Sequence, residues 1–189
     1  MSAQDSKLFV ISGPSGAGKG TLVTRVRERR SNLGLTVSAT TRAPRKGEVD
    51  GVNYFFLTRE EFDRRVANGE FVEWAEVHGN CYGTLVSEVT SKLASGSSLI
   101  LEIDVQGALQ VKERFPEAVL IFIKPPSLEV LRERLVGRGT ETPETIELRM
   151  ANAADELALA DRYDDVVVND DLERATDELV RVLDMHERI

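Results

Sequence analysis

Cysteine and histidine are scarce in this sequence of 189 residues: Cys81 is its only cysteine, and His78 and His186 are its only histidines. A single cysteine excludes a disulfide within the chain and a cysteine-rich metal cluster. The two histidines lie far apart in the sequence and do not form a zinc-binding pattern. No residue is therefore assigned as a metal ligand from the sequence.

Long hydrophobic stretches and an excess of positive charge are also lacking. The longest apolar run is Ala118–Ile123, and residues 1–6 lack the apolar segment of a signal peptide, so we expect a soluble, cytoplasmic protein with no membrane partner. The sequence contains 24 Lys and Arg residues against 32 Asp and Glu, a formal net charge of -8. The broad basic surface of a nucleic-acid-binding protein is not expected, and an anionic ligand would need locally concentrated basic residues.

The most informative segment is a glycine-rich loop between the apolar run Leu8–Ile11 and a run with helical periodicity that begins at Leu22. Its spacing, G-x-x-x-x-G-K, is typical of a phosphate-binding loop. Glycines let successive backbone N–H groups turn inward around a polyphosphate, and the helix that follows presents its positive end to the ligand. The residues expected to bind ATP phosphates are Gly13, Pro14, Ser15, Gly16, Ala17, Gly18, Lys19, Gly20 and Thr21.

One position of this loop departs from the commonest pattern. Gly20 follows Lys19, where many phosphate loops carry a Ser or Thr that binds magnesium, and Thr21 supplies a hydroxyl one residue later. A G-K-G-T ending also occurs in adenylate-kinase-like enzymes, so nucleotide binding is still expected, while direct ligation of the metal is left open. A glycine-rich turn with a surface lysine is the alternative, which the flanking strand and helix disfavour.

Short apolar strands alternate with amphipathic helices along most of the chain, which predicts a parallel sheet covered by helices on both faces. The candidate core strands are Leu8–Ser12, Leu35–Ser38, Leu99–Asp104, Val119–Lys124 and Asp165–Val168. Between residues 36 and 86 the alternation is interrupted by two strand-like runs, Asn53–Leu57 and Phe71–Val77, around a helix with the capping-box spacing of Thr58 and Glu61. We interpret this part as an inserted lobe, and the polar segment Gly137–Thr142 as a mobile lid.

Basic residues are concentrated in one segment, where Arg42, Arg45 and Lys46 lie within Thr40–Glu48. Guanidinium groups bind phosphate through two parallel hydrogen bonds, so a pair of arginines suits a phosphate monoester. Ser38 and Tyr54 would add hydroxyl donors. A solvated surface loop explains the same charge pattern equally well.

Further segments continue the series: Glu73–Ala75, Tyr82–Gly83, Glu102–Gly107, Gly137–Glu141 and Val168–Asp171. Together with the glycine-rich loop and the basic segment, they resemble the guanylate kinase family in order and spacing, from about residue 7 to residue 189. The resemblance implies a P-loop nucleoside monophosphate kinase, an enzyme that phosphorylates GMP to GDP, and also dGMP to dGDP, with ATP and Mg2+ in purine nucleotide metabolism. ATP and GMP are then its partners, and the oligomeric state is left open.

The resemblance also implies how the chain is divided. The expected fold is α/β, a P-loop three-layer α/β/α domain with a parallel core sheet, an inserted GMP-binding lobe and a mobile lid. Residues 1–189 form a single domain. The expected parts are a core of about residues 7–35, 87–137 and 156–189, a GMP-binding lobe of about residues 36–86, and a lid of about residues 138–155.

The acceptor site is assigned by the same resemblance. The residues expected to bind GMP are Ser38, Arg42, Arg45, Tyr54, Glu73, Tyr82, Thr84 and Asp104. Glu73 is the base-reading residue, because one carboxylate accepts from both N1–H and the exocyclic amine of guanine, and adenine presents no such pair of donors. Thr84 keeps the hydroxyl of the serine usual in the family and adds a methyl group. By periodicity alone Glu73 would face outward on its strand, and Asp104 would equally serve as a helix N-cap.

The resemblance assigns catalysis to Lys19, Arg42, Arg138 and Arg149. Arg138 and Arg149 are the arginines that lid closure would bring to the transferring phosphoryl group, where positioning and charge neutralisation supply most of the catalysis. Asn169 matches a position near the adenine of ATP, and Arg134, whose position on a helix is equally typical of an exposed residue, would cover that ring. Arg149 could likewise be a surface residue paired along its helix.

Two other functions are compatible with the same motifs. A catalytically inactive guanylate-kinase-like domain would serve as a protein-interaction module, which the intact phosphate loop with Lys19 disfavours. An enzyme that phosphorylates AMP would share the Gly20 loop, but Arg42, Arg45 and Glu73 favour GMP.

Overall fold

The computed structural model describes residues 6–77, 79–137, 139 and 142–188. The strands are β1 (Leu8–Ser12), β2 (Gly34–Leu35), β3 (Ala39–Thr40), β4 (Phe55–Phe56), β5 (Phe71–Val77), β6 (Asn80–Leu85), β7 (Leu99–Glu102), β8 (Val119–Lys124) and β9 (Asp165–Val168). The helices are α1 (Lys19–Arg29), α2 (Arg59–Ala67), α3 (Val86–Ala94), α4 (Val105–Arg114), α5 (Leu128–Gly137), α6 (Pro143–Leu157) and α7 (Leu172–Glu187), with a 3₁₀ turn at Ala160–Arg162. None of the described helices is long and apolar enough to cross a membrane.

The core is a five-stranded sheet in the order β2-β7-β1-β8-β9, in which every neighbouring pair is parallel. Successive side chains of a strand point to opposite faces of a sheet. In β1, Phe9 and Ile11 pack with residues of α1 and α7, whereas Leu8 and Val10 pack with residues of α3 and α4. Helices therefore cover both faces, and the predicted three-layer α/β/α fold with a parallel core sheet is confirmed.

Two core strands are shorter than the sequence predicts. Near the end of each strand, a side chain accepts a hydrogen bond from a backbone N–H group. β2 ends at Leu35, since the Val37 N–H donates to the Glu88 carboxylate at 2.9 Å rather than to a strand. β7 ends at Glu102 because Asp104 is already the N-cap of α4. The predicted bounds of β1, β8 and β9 match the structure. The core buries the apolar residues of β1 and β8, whereas in the edge strand β9 only Val167 is buried.

Residues between β2 and α3 form a second sheet, in the order β4-β3-β6-β5, with α2 packed against it. Its buried side chains form a cluster of their own: Ala39, Phe62, Phe71, Cys81 and Leu85. Thr58 is the N-cap of α2 and accepts from the Glu61 N–H at 3.1 Å. The Glu61 carboxylate binds Arg64 and Arg65 instead of completing the expected capping box, and these arginines lower the pKa of Glu61 to about 2.

Helices α5 and α6 form a pair beside the core. The side chains buried between them are Leu131, Leu135, Ile146 and Ala153. Thr142 caps α6 by accepting from the Thr145 N–H at 3.3 Å, and Pro143 is the first residue of the helix, where proline is favoured. The division of the chain into a core, a GMP-binding lobe and a lid stays a prediction.

Candidate nucleotide-binding site

The glycine-rich loop connects the carboxyl end of β1 to the amino end of α1, at the sheet edge where ligands of parallel α/β folds bind. Gly13 has a φ of 138°, and a Cβ added there would lie 2.3 Å from the Ile123 carbonyl oxygen. Gly18 has a φ of 91°, and a Cβ there would lie 2.4 Å from the Asn169 side-chain nitrogen. Only glycine fits these two positions, so the close packing of the loop explains its composition.

Lys19 lies folded over this loop. Its Nζ donates to the carbonyl oxygens of Gly13 at 2.6 Å and Pro14 at 3.1 Å. The Glu102 carboxylate lies beside α1, where a Cβ on Gly20 would be 3.5 Å from its Oε1. The positive charge of Lys19 thus lies among loop carbonyls at the amino end of α1, next to a carboxylate at the end of β7.

Helix α6 also reaches the loop. The Arg149 Nη1 donates to the Ser15 Oγ, which places this arginine at the phosphate loop. Glu156 lies seven residues further along α6, about two helical turns, and therefore on the same face. Burial raises the pKa of Glu156, while the charge of Lys19 opposes the shift. Sequence reasoning missed Glu156, although its spacing from Arg149 was a usable signal; Arg138 lies outside the described residues.

A cavity of about 390 Å³ opens beside the loop. Its lining comprises Gly16, Gly18, Thr21, Arg134, Asn169, Asp170 and Leu172. The buried side chain of Asn169 donates to the Ala17 carbonyl at 2.8 Å, and Arg134 Nη2 donates to the Asn169 carbonyl at 2.8 Å. The two residues expected near adenine thus lie together: Asn169 binds the loop directly, and Arg134 binds Asn169.

The basic segment has a defined internal structure. Arg42 Nη1 and Nη2 donate to the two carboxylate oxygens of Glu48 at 3.0 and 2.9 Å, and the Arg45 N–H donates to Glu48 at 2.7 Å. These hydrogen bonds lower the pKa of Glu48, and those from Arg42 have the largest effect. The Arg42 guanidinium lies 5.4 Å from the centroid of the Tyr54 ring, which meets the Tyr82 ring edge-on at 6.2 Å. Three expected GMP ligands therefore lie together.

Arg45 and Ser38, two further residues expected to bind the GMP phosphate, make contacts through their backbone atoms. The Arg45 side chain is exposed, and its backbone rather than its guanidinium contacts Glu48. Ser38 lies just before β3, and its carbonyl accepts from the Phe55 N–H at 2.9 Å. Sequence reasoning did not identify Glu48 as the partner of Arg42, because a carboxylate in a basic segment gives no signal of its orientation.

Glu73 is buried, with 8% of its surface exposed, and its Oε1 accepts from the Thr84 Oγ1 at 2.7 Å. Simple alternation along β5 does not predict this burial. A bulge between Phe71 and Glu73 shifts the register against β6, and Phe71, Val72 and Glu73 are all buried. The structure therefore places Glu73 and Thr84 together inside the molecule.

The carboxylates of Asp104 and Glu73 lie close together, next to Gly107. A Cβ on Gly107 would lie 3.3 Å from the Glu73 Oε2 and 3.4 Å from the Asp104 Oδ1. Asp104 is also the N-cap of α4 and accepts from the Gly107 N–H at 2.7 Å. Burial raises the pKa of Glu73, the Thr84 hydrogen bond opposes the shift, and the Asp104 charge adds to it. A ligand with two adjacent N–H donors suits this site.

A phosphate loop at the carboxyl edge of a parallel sheet, in a chain whose second sheet and its loops carry arginine, tyrosine and a buried carboxylate, defines a P-loop nucleotide-binding protein. The model of the guanylate kinase family matches residues 5–186. The guanylate kinase of Gloeobacter violaceus is 57% identical over 178 residues, which are 94% of this chain and 87% of that protein. The chain therefore belongs to the guanylate kinase family.

Other comparisons agree with this result. The guanylate kinase of Halalkalibacterium halodurans is 52% identical over 97% of this chain and 90% of that protein. The crystal structure of the guanylate kinase from Anaplasma phagocytophilum superposes with a TM-score of 0.73 at 37% identity, covering 96% of this chain and 86% of that chain. The protein is an enzyme, a nucleoside monophosphate kinase, and the family predicted from the sequence is confirmed.

Replacing Glu73 by Gln is expected to stabilise the ligand-free protein at pH 8. Because burial raises the folded-state pKa of Glu73 above its unfolded value, the folded protein binds the proton more tightly, and wild-type stability falls as the pH rises through this window. The advantage of Glu73→Gln should shrink as the pH is lowered through the raised pKa and vanish below about 4.3, the ordinary pKa of Glu. Urea unfolding between pH 4 and pH 8 measures this difference; a wild type that gains on the variant as the pH rises would contradict it.

Proposed function

We propose that this enzyme transfers the γ-phosphoryl group of ATP to GMP, and also to dGMP, giving ADP and GDP or dGDP. The observation that carries the proposal is the buried Glu73 carboxylate, held by Thr84 and close to Asp104, in a protein that also has an intact phosphate loop. A buried carboxylate is unfavourable unless it is hydrogen-bonded, so the site favours a base that supplies donors. Guanine supplies N1–H and the exocyclic amine side by side.

The donor nucleotide is assigned to the phosphate loop. The N–H groups of the Gly13–Thr21 segment would surround the ATP phosphates, and Lys19 would move from the loop carbonyls to the phosphate oxygens. Arg149 lies at Ser15 in the described structure, and Arg138 would join it on closure of the lid. Since phosphoryl transfer needs little covalent chemistry from the protein, these cations act by positioning and by neutralising charge.

Adenine is assigned to the cavity beside the loop. Asn169 and Arg134 lie at its wall, and the Arg134 Nη1 is buried without a hydrogen-bond partner among the described residues. A flat guanidinium also stacks favourably on an aromatic ring. ATP bound here would place its phosphates at the amino end of α1.

A divalent metal is generally required with ATP in this family, and we assign it as Mg2+. Mg2+ prefers oxygen ligands and is usually bound by one or two carboxylates together with substrate phosphates and water. Glu102 beside Gly20, with Asp104 two residues further, provides such carboxylates and would hold the ion, directly or through its waters. The ion would neutralise charge that develops on the ATP phosphates during transfer.

The acceptor is assigned to the second sheet. Arg42, Tyr54 and Tyr82 already lie together, and they would bind the GMP phosphate with Ser38 and Arg45. Glu48 holds Arg42 through both Nη atoms, which fixes the plane of the guanidinium before the substrate arrives. Such preorganisation lowers the entropic cost of binding.

The two alternative functions fit less well. The glycines at the close contacts of the loop and Lys19 are intact, and the relatives that match most of the chain are named guanylate kinases, so the inactive interaction domain is not favoured. AMP offers no N1–H, so it would leave the Glu73 carboxylate buried without its full set of donors. A cytoplasmic location and the lack of a nucleic-acid partner stay predictions.

Replacing Lys19 by Ala is expected to lower kcat for GMP-dependent ADP formation by about a hundredfold or more, because a positive charge on the transferring phosphoryl group is lost. The fold should persist, since the loop contacts of Asn169 remain. Arg25→Ala, on the exposed face of the same helix, removes the same charge and should leave kcat unchanged. Steady-state kinetics at saturating ATP and GMP measure this change in kcat. An unchanged kcat in Lys19→Ala would refute a catalytic role for Lys19.

Replacing Glu73 by Gln is expected to lower the ratio of kcat/KM for GMP to that for AMP by about ten- to a hundredfold, the value of hydrogen bonds to a charged group. The amide retains one acceptor for Thr84 but cannot accept from both guanine donors. Glu76→Gln, an exposed change on the same strand, is the matched control. If Glu73→Gln kept the wild-type preference for GMP, Glu73 would not be the base-reading residue.

A further inference from the structure

Residues 36–38 connect β2 of the core to β3 of the second sheet, and side chains of helix α3 bind the backbone of this connector and of Leu35, the β2 residue just before it. The Glu88 Oε1 accepts from the Val37 N–H at 2.9 Å. The Lys92 Nζ donates to the Leu35 carbonyl at 2.7 Å. Side chains of α3 therefore supply the hydrogen bonds that a neighbouring strand would otherwise give to this part of the backbone.

The two side chains also bind each other. Glu88 and Lys92 are four residues apart on α3, and their charged groups are 2.5 Å apart. The Glu88 side chain is only 11% exposed, and that of Lys92 is 35% exposed. A carboxylate this buried needs its partners, because an unpaired buried charge is costly, so the pair is more than a solvated surface contact.

Helix α3 contacts both connections between the core sheet and the second sheet. The chain crosses between the two sheets at residues 36–38 and again where β6 runs directly into α3 at Val86. The Val86 N–H donates to the Glu70 carbonyl at 2.9 Å, so the start of α3 also contacts the segment before β5. Both crossings therefore contact the first two turns of one helix.

Ser38 lies at the end of the connector. Its carbonyl accepts from the Phe55 N–H at 2.9 Å, one residue beyond the point where Glu88 holds Val37. The backbone before Ser38 is thus fixed by α3, and the backbone after it by β4. Few conformations of Ser38 satisfy both contacts.

We propose that Glu88, supported by Lys92, is a positioning residue for the acceptor site: it holds the connector so that Ser38 lies where the phosphate of GMP binds. This inference rests on the proposed function, in which Ser38 is a ligand of that phosphate. Glu88 itself does not touch the substrate. Its loss would let the connector move and would make GMP binding bear the cost of ordering it.

The test compares Glu88→Ala and Glu88→Gln with the wild type in steady-state kinetics, varying GMP and ATP separately. In Glu88→Ala the KM for GMP should rise about three- to tenfold, which corresponds to the free energy of one hydrogen bond. The KM for ATP and the kcat at saturating GMP should stay within about twofold of the wild-type values. Glu88→Gln keeps an acceptor for the Val37 N–H and should restore most of the GMP affinity. Glu28→Ala, which breaks the exposed pair with Arg25, is the control for loss of an ion pair.

The outcomes separate this inference from the function on which it rests. Wild-type protein without GMP-dependent turnover would refute the proposed function first. With wild-type turnover present, an unchanged KM for GMP in Glu88→Ala, or equal rises for GMP and ATP, would refute the role of Glu88 alone. A KM in Glu88→Gln as high as in Glu88→Ala would also contradict it. If Glu88→Ala does not fold, Lys92→Met carries the test, with a smaller rise in the KM for GMP alone expected.

Discussion

The close approach of the phosphate-loop backbone to its neighbours is the constraint on which the rest of the structure depends. Gly13 lies against the Ile123 carbonyl and Gly18 against Asn169, with no room for a side chain at either position. The loop can lie there only because β1 and β8 are paired in the centre of a sheet that is buried on both faces. This packing aims the amino end of α1 at the sheet edge, where a polyphosphate is stabilised by backbone N–H groups.

Three basic groups assigned to the site are held by oxygen atoms of the protein. Lys19 lies on loop carbonyls, Arg42 on Glu48, and Arg149 on the Ser15 hydroxyl. For Lys19 and Arg149, phosphate oxygens offer the same type of partner with greater charge, so substrate binding can exchange these contacts without leaving a cation desolvated and unpaired. In a chain of net charge -8, this local arrangement would allow an acidic protein to bind anionic nucleotides.

Much of the fold was predictable because its strongest signals are local. Short apolar runs located β1, β8 and β9, and glycine spacing located the loop. The burial of Glu73 was not predictable from alternation, because a β-bulge in β5 changes which residues face inward. Glu48 binds Arg42 within one folded loop, and Glu88 binds the backbone of Val37, which is distant in the sequence. Hydrophobic periodicity predicts neither contact. The lid arginine Arg138 and the assigned ligand roles stay predictions.

The central claim is that a GMP-specific acceptor site faces the phosphate loop. The most direct test measures ADP release by the wild-type protein from ATP and magnesium with GMP, with AMP, or with no acceptor, in parallel. The account predicts release that depends on GMP, with little from AMP and little without an acceptor, because Glu73 accepts donors that only guanine presents. Equal release with AMP and GMP would contradict the assignment of Glu73, and no release from protein that still binds GMP would contradict the phosphotransferase function itself.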